Sequence, residues 1–229
     1  PTVSPEPSVT ETPVTPTVSP EPSVTETPIA TPTPTKEPEK PVKLSTPKLK
    51  KVVSVSYDSV KVTWDKVKSA DGYRVYMKEH GKWKSLGKVS SNSYICKGLE
   101  TGKKYTFTVR AYKKANTGTV LSAYNKKGIS GTPKLSTPEL KSVKRSASGV
   151  TFRWKKTAGA TGYIVYRKAN NGSWRALYAT NNVSYKDTVA KKGVKYTYTV
   201  RAYRKTSIGN VYSSYNAKGI SVKIGRAHV

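Results

Sequence analysis

Five short stretches set aromatic side chains beside lysine or arginine: Tyr73-Arg74-Val75-Tyr76, Trp83-Lys84, Arg110-Ala111-Tyr112-Lys113-Lys114, Trp174-Arg175 and Arg201-Ala202-Tyr203-Arg204-Lys205. An exposed ring offers its face to a sugar or base, and a neighbouring cation offers itself to a carboxylate or phosphate. Each such stacking contact contributes about 1–3 kcal/mol in nucleic-acid complexes. The candidate ligand-binding residues are therefore Trp83, Trp174, Tyr76, Tyr166, Arg110, Tyr112, Arg201 and Tyr203. A second reading stays open. Outward-facing tyrosines can pair across strands with the stems of Lys and Arg, and Trp83 and Trp174 can pack on the edge of a sandwich.

Catalysis finds little to work with. General acid–base and nucleophilic chemistry needs groups matched in geometry and pKa. Apart from His228, the only histidine is His80, in an expected turn and replaced by Asn170 or Asn171 in a second copy of the sequence. Cys96 aligns with Asp187 and has no histidine to activate it, so it reads as a partly buried thiol. The acids Asp58, Asp65, Asp71, Glu79, Glu100, Glu139 and Asp187 are scattered. Paired carboxylates, metal-ligand spacing, a phosphate loop and a nucleophile elbow are all missing from the pattern. No catalytic, cofactor-binding or metal-binding residue is assigned, and this segment is read as non-enzymatic, whatever a longer parent carries.

Charge is distributed unevenly. Residues 1–45 hold six Glu against three Lys, a net of −3, whereas the rest carries 39 of the 42 basic residues and seven of the 13 acids. A surface so cationic implies an anionic partner or environment. The single cysteine allows no internal disulfide, and no run of 18 apolar residues is present to span a membrane.

The elements that must position the aromatic–cationic residues come as a tandem. Tyr105-Thr106-Phe107-Thr108-Val109-Arg110-Ala111-Tyr112 returns 91 positions later as Tyr196-Thr197-Tyr198-Thr199-Val200-Arg201-Ala202-Tyr203. Tyr105, Phe107, Val109 and Ala111 share one face and Thr106, Thr108, Arg110 and Tyr112 the other, the period-two pattern of a strand with one face on a core. Val60, Val62 and Trp64 alternate likewise, as do Val150, Phe152 and Trp154. Seven short strands per copy, punctuated by turns and without helical periodicity, predict an all-β chain of two antiparallel sandwiches. Trp64, Trp154, Tyr105 and Tyr196 are expected in the core or at its corners. Upstream, residues 1–15 recur almost unchanged as 16–30 in a Pro/Thr/Ser/Glu tract. Such a tract lacks the apolar surface to offset ordering entropy, and residues 1–45 are read as a disordered, extended spacer. A proline-motif ligand and an O-glycosylated stalk are the alternatives.

Each copy resembles a fibronectin type III domain. The resemblance rests on an early proline, Trp64 or Trp154 on the second strand and G-Y-x-V-Y in the third. It rests also on the corner Leu99-Glu100-Thr101-Gly102-Lys103-Lys104-Tyr105, Y-T-x-T-V-R-A-Y in the sixth strand, and the late Y-N-x-K-G-I-S. The second copy departs at the corner, with Ala190 at the Leu position beside Val189. The full set is similar to domains of surface and secreted proteins of Gram-positive anaerobes. It implies an immunoglobulin-like fold with domains at 46–134 and 135–223, an extracellular or cell-wall setting, and no catalytic residue. Residues 224–229 resemble the in-frame translation of a sequencing adapter and are read as a non-native tail.

Three functions follow as expectations. The first is a monomeric spacer or adhesion module held electrostatically against an anionic cell-wall polymer. The second is a carbohydrate- or wall-binding appendage that targets an upstream hydrolase domain. Nucleic-acid binding is favoured by charge alone and accompanied by no recognised motif.

Overall fold

The computed structural model describes residues 43–116 and 118–225; all but the last three residues of the spacer expected over 1–45, and the last four residues of the chain, lie outside these. The chain forms two β-sandwiches of antiparallel strands with no helix among the described residues. In the first, β1 (Leu49–Ser56), β2 (Ser59–Trp64) and β5 (Ser93–Cys96) make one sheet. The other sheet holds β3 (Gly72–Glu79), β4 (Lys82–Val89), β6 (Tyr105–Ala115), β7 (Gly118–Leu121) and β8 (Ile129–Gly131). Strands β7 and β8 both pair with β6, so they are one interrupted strand and the expected count of seven holds. The second sandwich repeats this plan. Its smaller sheet is β9 (Leu140–Ser146), β10 (Gly149–Trp154) and β13 (Ser184–Asp187). Its larger sheet is β11 (Gly162–Ala169), β12 (Arg175–Thr180), β14 (Lys195–Thr206), β15 (Gly209–Tyr212) and β16 (Ile220–Lys223).

Alternation drives the burial. On β6, Phe107, Val109 and Ala111 are fully buried while Arg110 and Tyr112 on the other face are half-buried. Trp64 and Trp154 fill the two cores, each edge-on to the tyrosine that follows the strand-initiating glycine, Tyr73 at 5.3 Å and Tyr163 at 5.4 Å. The Tyr73 hydroxyl accepts the Val67 N–H and the Tyr163 hydroxyl that of Thr157, both at 2.8 Å, so each phenol keeps a partner inside the sandwich. Tyr105 and Tyr196 lock the corners by accepting the N–H groups of Glu100 and Lys191. At the second corner Ala190 packs on the core while Val189 is exposed, so the small residue takes the place of Leu99. Leu44 and Ile224 are also buried in the respective cores, and the Ile224 carbonyl accepts the Gly193 N–H at 2.7 Å. Both cores thus reach beyond the expected spans of 46–134 and 135–223.

The joint between the sandwiches is built from polar and aromatic contacts. Tyr57, in the β1–β2 turn, packs against the second core, with the Arg204 guanidinium 4.8 Å from its ring and Gly159 against the ring face. Arg204 also donates to the Gly159 carbonyl, and the Ser207 N–H donates to Glu100 at 2.6 Å. That hydrogen bond holds the Glu100 carboxyl below its ordinary range.

One position separates the two interiors. Asp187 is fully buried and accepts Arg167 Nη1 at 2.5 Å, the Tyr198 hydroxyl at 2.7 Å and the Val189 N–H at 3.2 Å. Burial, and then the hydrogen bond to Asp187 and its charge, push the Tyr198 phenol well above its ordinary range. In the first domain the same three places hold Cys96, Met77 and Phe107, all buried. Removing one partner of a buried pair leaves an uncompensated charge and costs about 3–5 kcal/mol, whereas exchanging the whole group for apolar residues is often neutral or better. Asp187→Ala is therefore expected to lower the stability of the second domain by about 3–5 kcal/mol in chemical denaturation. The triple variant Asp187→Cys, Arg167→Met, Tyr198→Phe, which imports the first domain's solution, is expected to recover most of that loss.

Candidate ligand-binding face

The outer face of each larger sheet carries the aromatic–cationic residues, and pleating decides which of them meet. Pairing of β3 with β6 sets Tyr76 opposite Thr108 and Arg74 opposite Arg110 on this face. The β3–β4 hairpin turns through His80 and Gly81, both at positive φ, and places Trp83 opposite Lys78. Tyr76, Trp83, Thr108, Arg110 and Tyr124 then line a cleft of about 180 Å³. Trp83 stands edge-on to Tyr124 at 6.3 Å, and the Lys78 ammonium lies 5.7 Å from the Trp83 ring. The Arg110 guanidinium lies 5.7 Å from the Tyr124 ring and donates from Nε to the Ser122 carbonyl at 2.7 Å.

The second domain builds the same arrangement. Tyr166, Trp174, Arg201 and Tyr215 line a cleft of about 90 Å³. Trp174 is edge-on to Tyr215 at 6.4 Å with the Lys168 ammonium 5.0 Å from its ring. Arg201 donates from Nε to the Ser213 carbonyl at 3.0 Å but leans over Tyr212, leaving Tyr215 to stack on Tyr166. Arg110 and Arg201 take part in none of the ion pairs found among the described residues. Half-buried guanidiniums flanked by rings, with Nε bound to a carbonyl, leave their terminal N–H groups for an acceptor such as a carboxylate.

Of the sequence-predicted residues, the structure brings together Tyr76, Trp83 and Arg110 in one cleft and Tyr166, Trp174 and Arg201 in the other. Tyr112 and Tyr203 lie elsewhere on the face. Each ring covers the glycine opposite it, and a Cβ at Gly72 would meet the Tyr112 ring at 2.8 Å, as one at Gly162 would meet that of Tyr203. Sequence reasoning missed Tyr124 and Tyr215, which belong to the recurring Y-N-x-K-G-I-S. That motif has a local mechanism. The Asn125 side-chain oxygen accepts the N–H groups of Lys127 and Gly128, both at 3.0 Å, and its carbonyl accepts the Thr108 hydroxyl. Asn216 repeats these bonds with Lys218, Gly219 and Thr199. The preceding tyrosine is thereby fixed at the mouth of the cleft.

Comparison with known proteins agrees with this architecture. Residues 45–124 match the family model of the fibronectin type III domain. The chain is 30% identical over 162 residues to exoglucanase B of Cellulomonas fimi, covering 66% of this chain and 14% of that protein. It is 31% identical over 183 residues to chitinase A1 of Niallia circulans, covering 74% of this chain and 24% of that protein. The chain thus spans less than a quarter of the length of these relatives. A segment of two fibronectin type III domains from chicken tenascin shares its fold, with a TM-score of 0.52 at 20% identity, covering 78% of this chain and 99% of that segment.

Gly128, at φ +71°, lies where a Cβ would meet the Trp83 ring at 2.8 Å and the Phe107 carbonyl at 2.7 Å; Gly219 stands in the same relation to Trp174 and Tyr198. Gly128→Ala is expected to destabilise the first domain by more than about 1 kcal/mol, from positive φ and from displacement of the ring. Denaturant unfolding measures the first effect, and a changed near-ultraviolet dichroism band of tryptophan reports the second.

Proposed function

We propose that the tandem is a non-catalytic spacer and adhesion module of a longer extracellular protein, holding it against anionic wall polymer or polysaccharide. The observation that carries this reading is the pair of equivalent clefts in which Arg110 and Arg201 sit among aromatic rings without an acidic partner among the described residues. The net charge of +29 draws a polyanion to the surface, and the clefts supply ring faces and directed donors once it arrives. A second reading, an appendage that targets a polysaccharide-degrading domain, is favoured by the names of its relatives, an exoglucanase and a chitinase. Both readings place chemistry outside these residues and polymer contact within them.

Pull-down on insoluble anionic and neutral polysaccharides across a salt series tests the proposal. Electrostatic holding predicts retention on the anionic polymer that falls more than tenfold between about 50 and about 200 mM salt. An aromatic subsite predicts a residual at high salt that Trp83→Ala and Trp174→Ala remove. Absence of retention on either polymer at low salt overturns both readings.

A further inference from the structure

The two larger sheets differ in one cross-strand row. In the first domain Arg74 pairs with Lys88 on β4 and with Arg110 on β6, so three cations stand side by side on the outer face. In the second domain the same row reads Ala179, Ile164, Arg201, with a single cation. Like charges directly opposite one another destabilise a sheet. None of Lys88, Arg74 and Arg110 takes part in an ion pair found among the described residues. Arg74 Nε is shielded from solvent and has no hydrogen-bond partner there. The row therefore carries a repulsion that no acidic side chain offsets among the described residues and that the second domain shows the fold does not need.

Rings flank the row on both sides. The Lys88 ammonium lies 5.6 Å from the Tyr112 ring, and Arg110 itself lines the cleft with Tyr76, Trp83 and Tyr124. Neighbouring strands are about 4.8 Å apart, so the three cations meet a succession of negative groups better than one isolated ion. Ring faces beside charges call for a ligand whose repeating unit has both a ring and an anionic group. A guanidinium binds a carboxylate in bidentate geometry.

We propose that the first domain is the anion-selective half of the tandem, with Lys88, Arg74 and Arg110 forming a subsite for a carboxylated saccharide chain. The second domain's equivalent face, with Ile164 at the centre, takes a neutral ring. This rests on the polysaccharide reading above and adds to it a chemical class and a division of labour.

Calorimetric titration of the whole tandem with oligogalacturonate, and in parallel with cellohexaose and oligothymidylate, tests the assignment. Replacing Arg74→Ile and Lys88→Ala together gives the first domain the second domain's residues. The pair is expected to lower oligogalacturonate affinity at least tenfold, leave cellohexaose binding unchanged, and keep or raise the melting temperature. The reverse graft, Ile164→Arg with Ala179→Lys, is expected to add a second oligogalacturonate site. Lys51→Ala with Lys61→Ala removes the same charge from the smaller sheet and is expected to have little effect. Equal losses in the row variant and in this control overturn the subsite while leaving polysaccharide binding in place. Tighter binding of oligothymidylate than of oligogalacturonate overturns it in favour of a nucleic acid. Failure of the unaltered tandem to bind oligogalacturonate while it is still retained on an insoluble anionic polymer overturns this inference alone, and failure of both overturns the proposed function with it.

Discussion

The pleat of β6 and of β14 is the constraint from which the rest of each domain follows. Side chains alternate across a strand, so sending Phe107, Val109 and Ala111 into the core sends Thr108, Arg110 and Tyr112 to the opposite face. Antiparallel pairing with β3 then fixes what lies beside them, because a slip of one residue would turn every core residue outward. Val75 opposite Val109 inside the sandwich makes Arg74 opposite Arg110 unavoidable outside it. The binding face and the core are two sides of one register.

That shared register leaves each domain free to settle its interior differently. The second domain closes around Asp187, Arg167 and Tyr198, and the first fills the same places with Cys96, Met77 and Phe107. The domains diverge on the outside as well. The row that carries three cations in the first carries one in the second, while the clefts beside it keep a Trp, two Tyr and an Arg in both. Across the joint, Tyr57 and Glu100 of the first domain engage Arg204 and Ser207 of the second, contacts beyond those of the linking peptide.

Much of this was legible in the residues. Period-two burial marked the strands, and the duplicated Tyr-rich segment marked two domains, because both signals are local and repeat in the chain. Trp83 with Arg110, and Trp174 with Arg201, were recognisable as candidates from their types alone. Their partners Tyr124 and Tyr215 were not. These tyrosines enter the clefts through a turn closed by Asn125 or Asn216, and only the hydrogen bonds to Gly128 and Gly219 show where the preceding ring goes. Tyr112 and Tyr203 had the right type and face but cover Gly72 and Gly162, a placement set by cross-strand pairing rather than by sequence neighbours. The Lys88–Arg74–Arg110 row was hidden for the same reason, since the two strands of the β3–β4 hairpin and the more distant β6 contribute one residue each.

Ligand contact at a built site on the outer face of the larger sheets differs measurably from contact spread over the cationic surface. Two-dimensional NMR of the tandem during titration with oligogalacturonate tests it most directly. A built site predicts saturable shifts confined to the Trp83 indole N–H and to signals of Arg74, Arg110 and Tyr124, with residues of β1, β2 and β5 unmoved. Small, unsaturating shifts distributed over lysines of both sheets would contradict it.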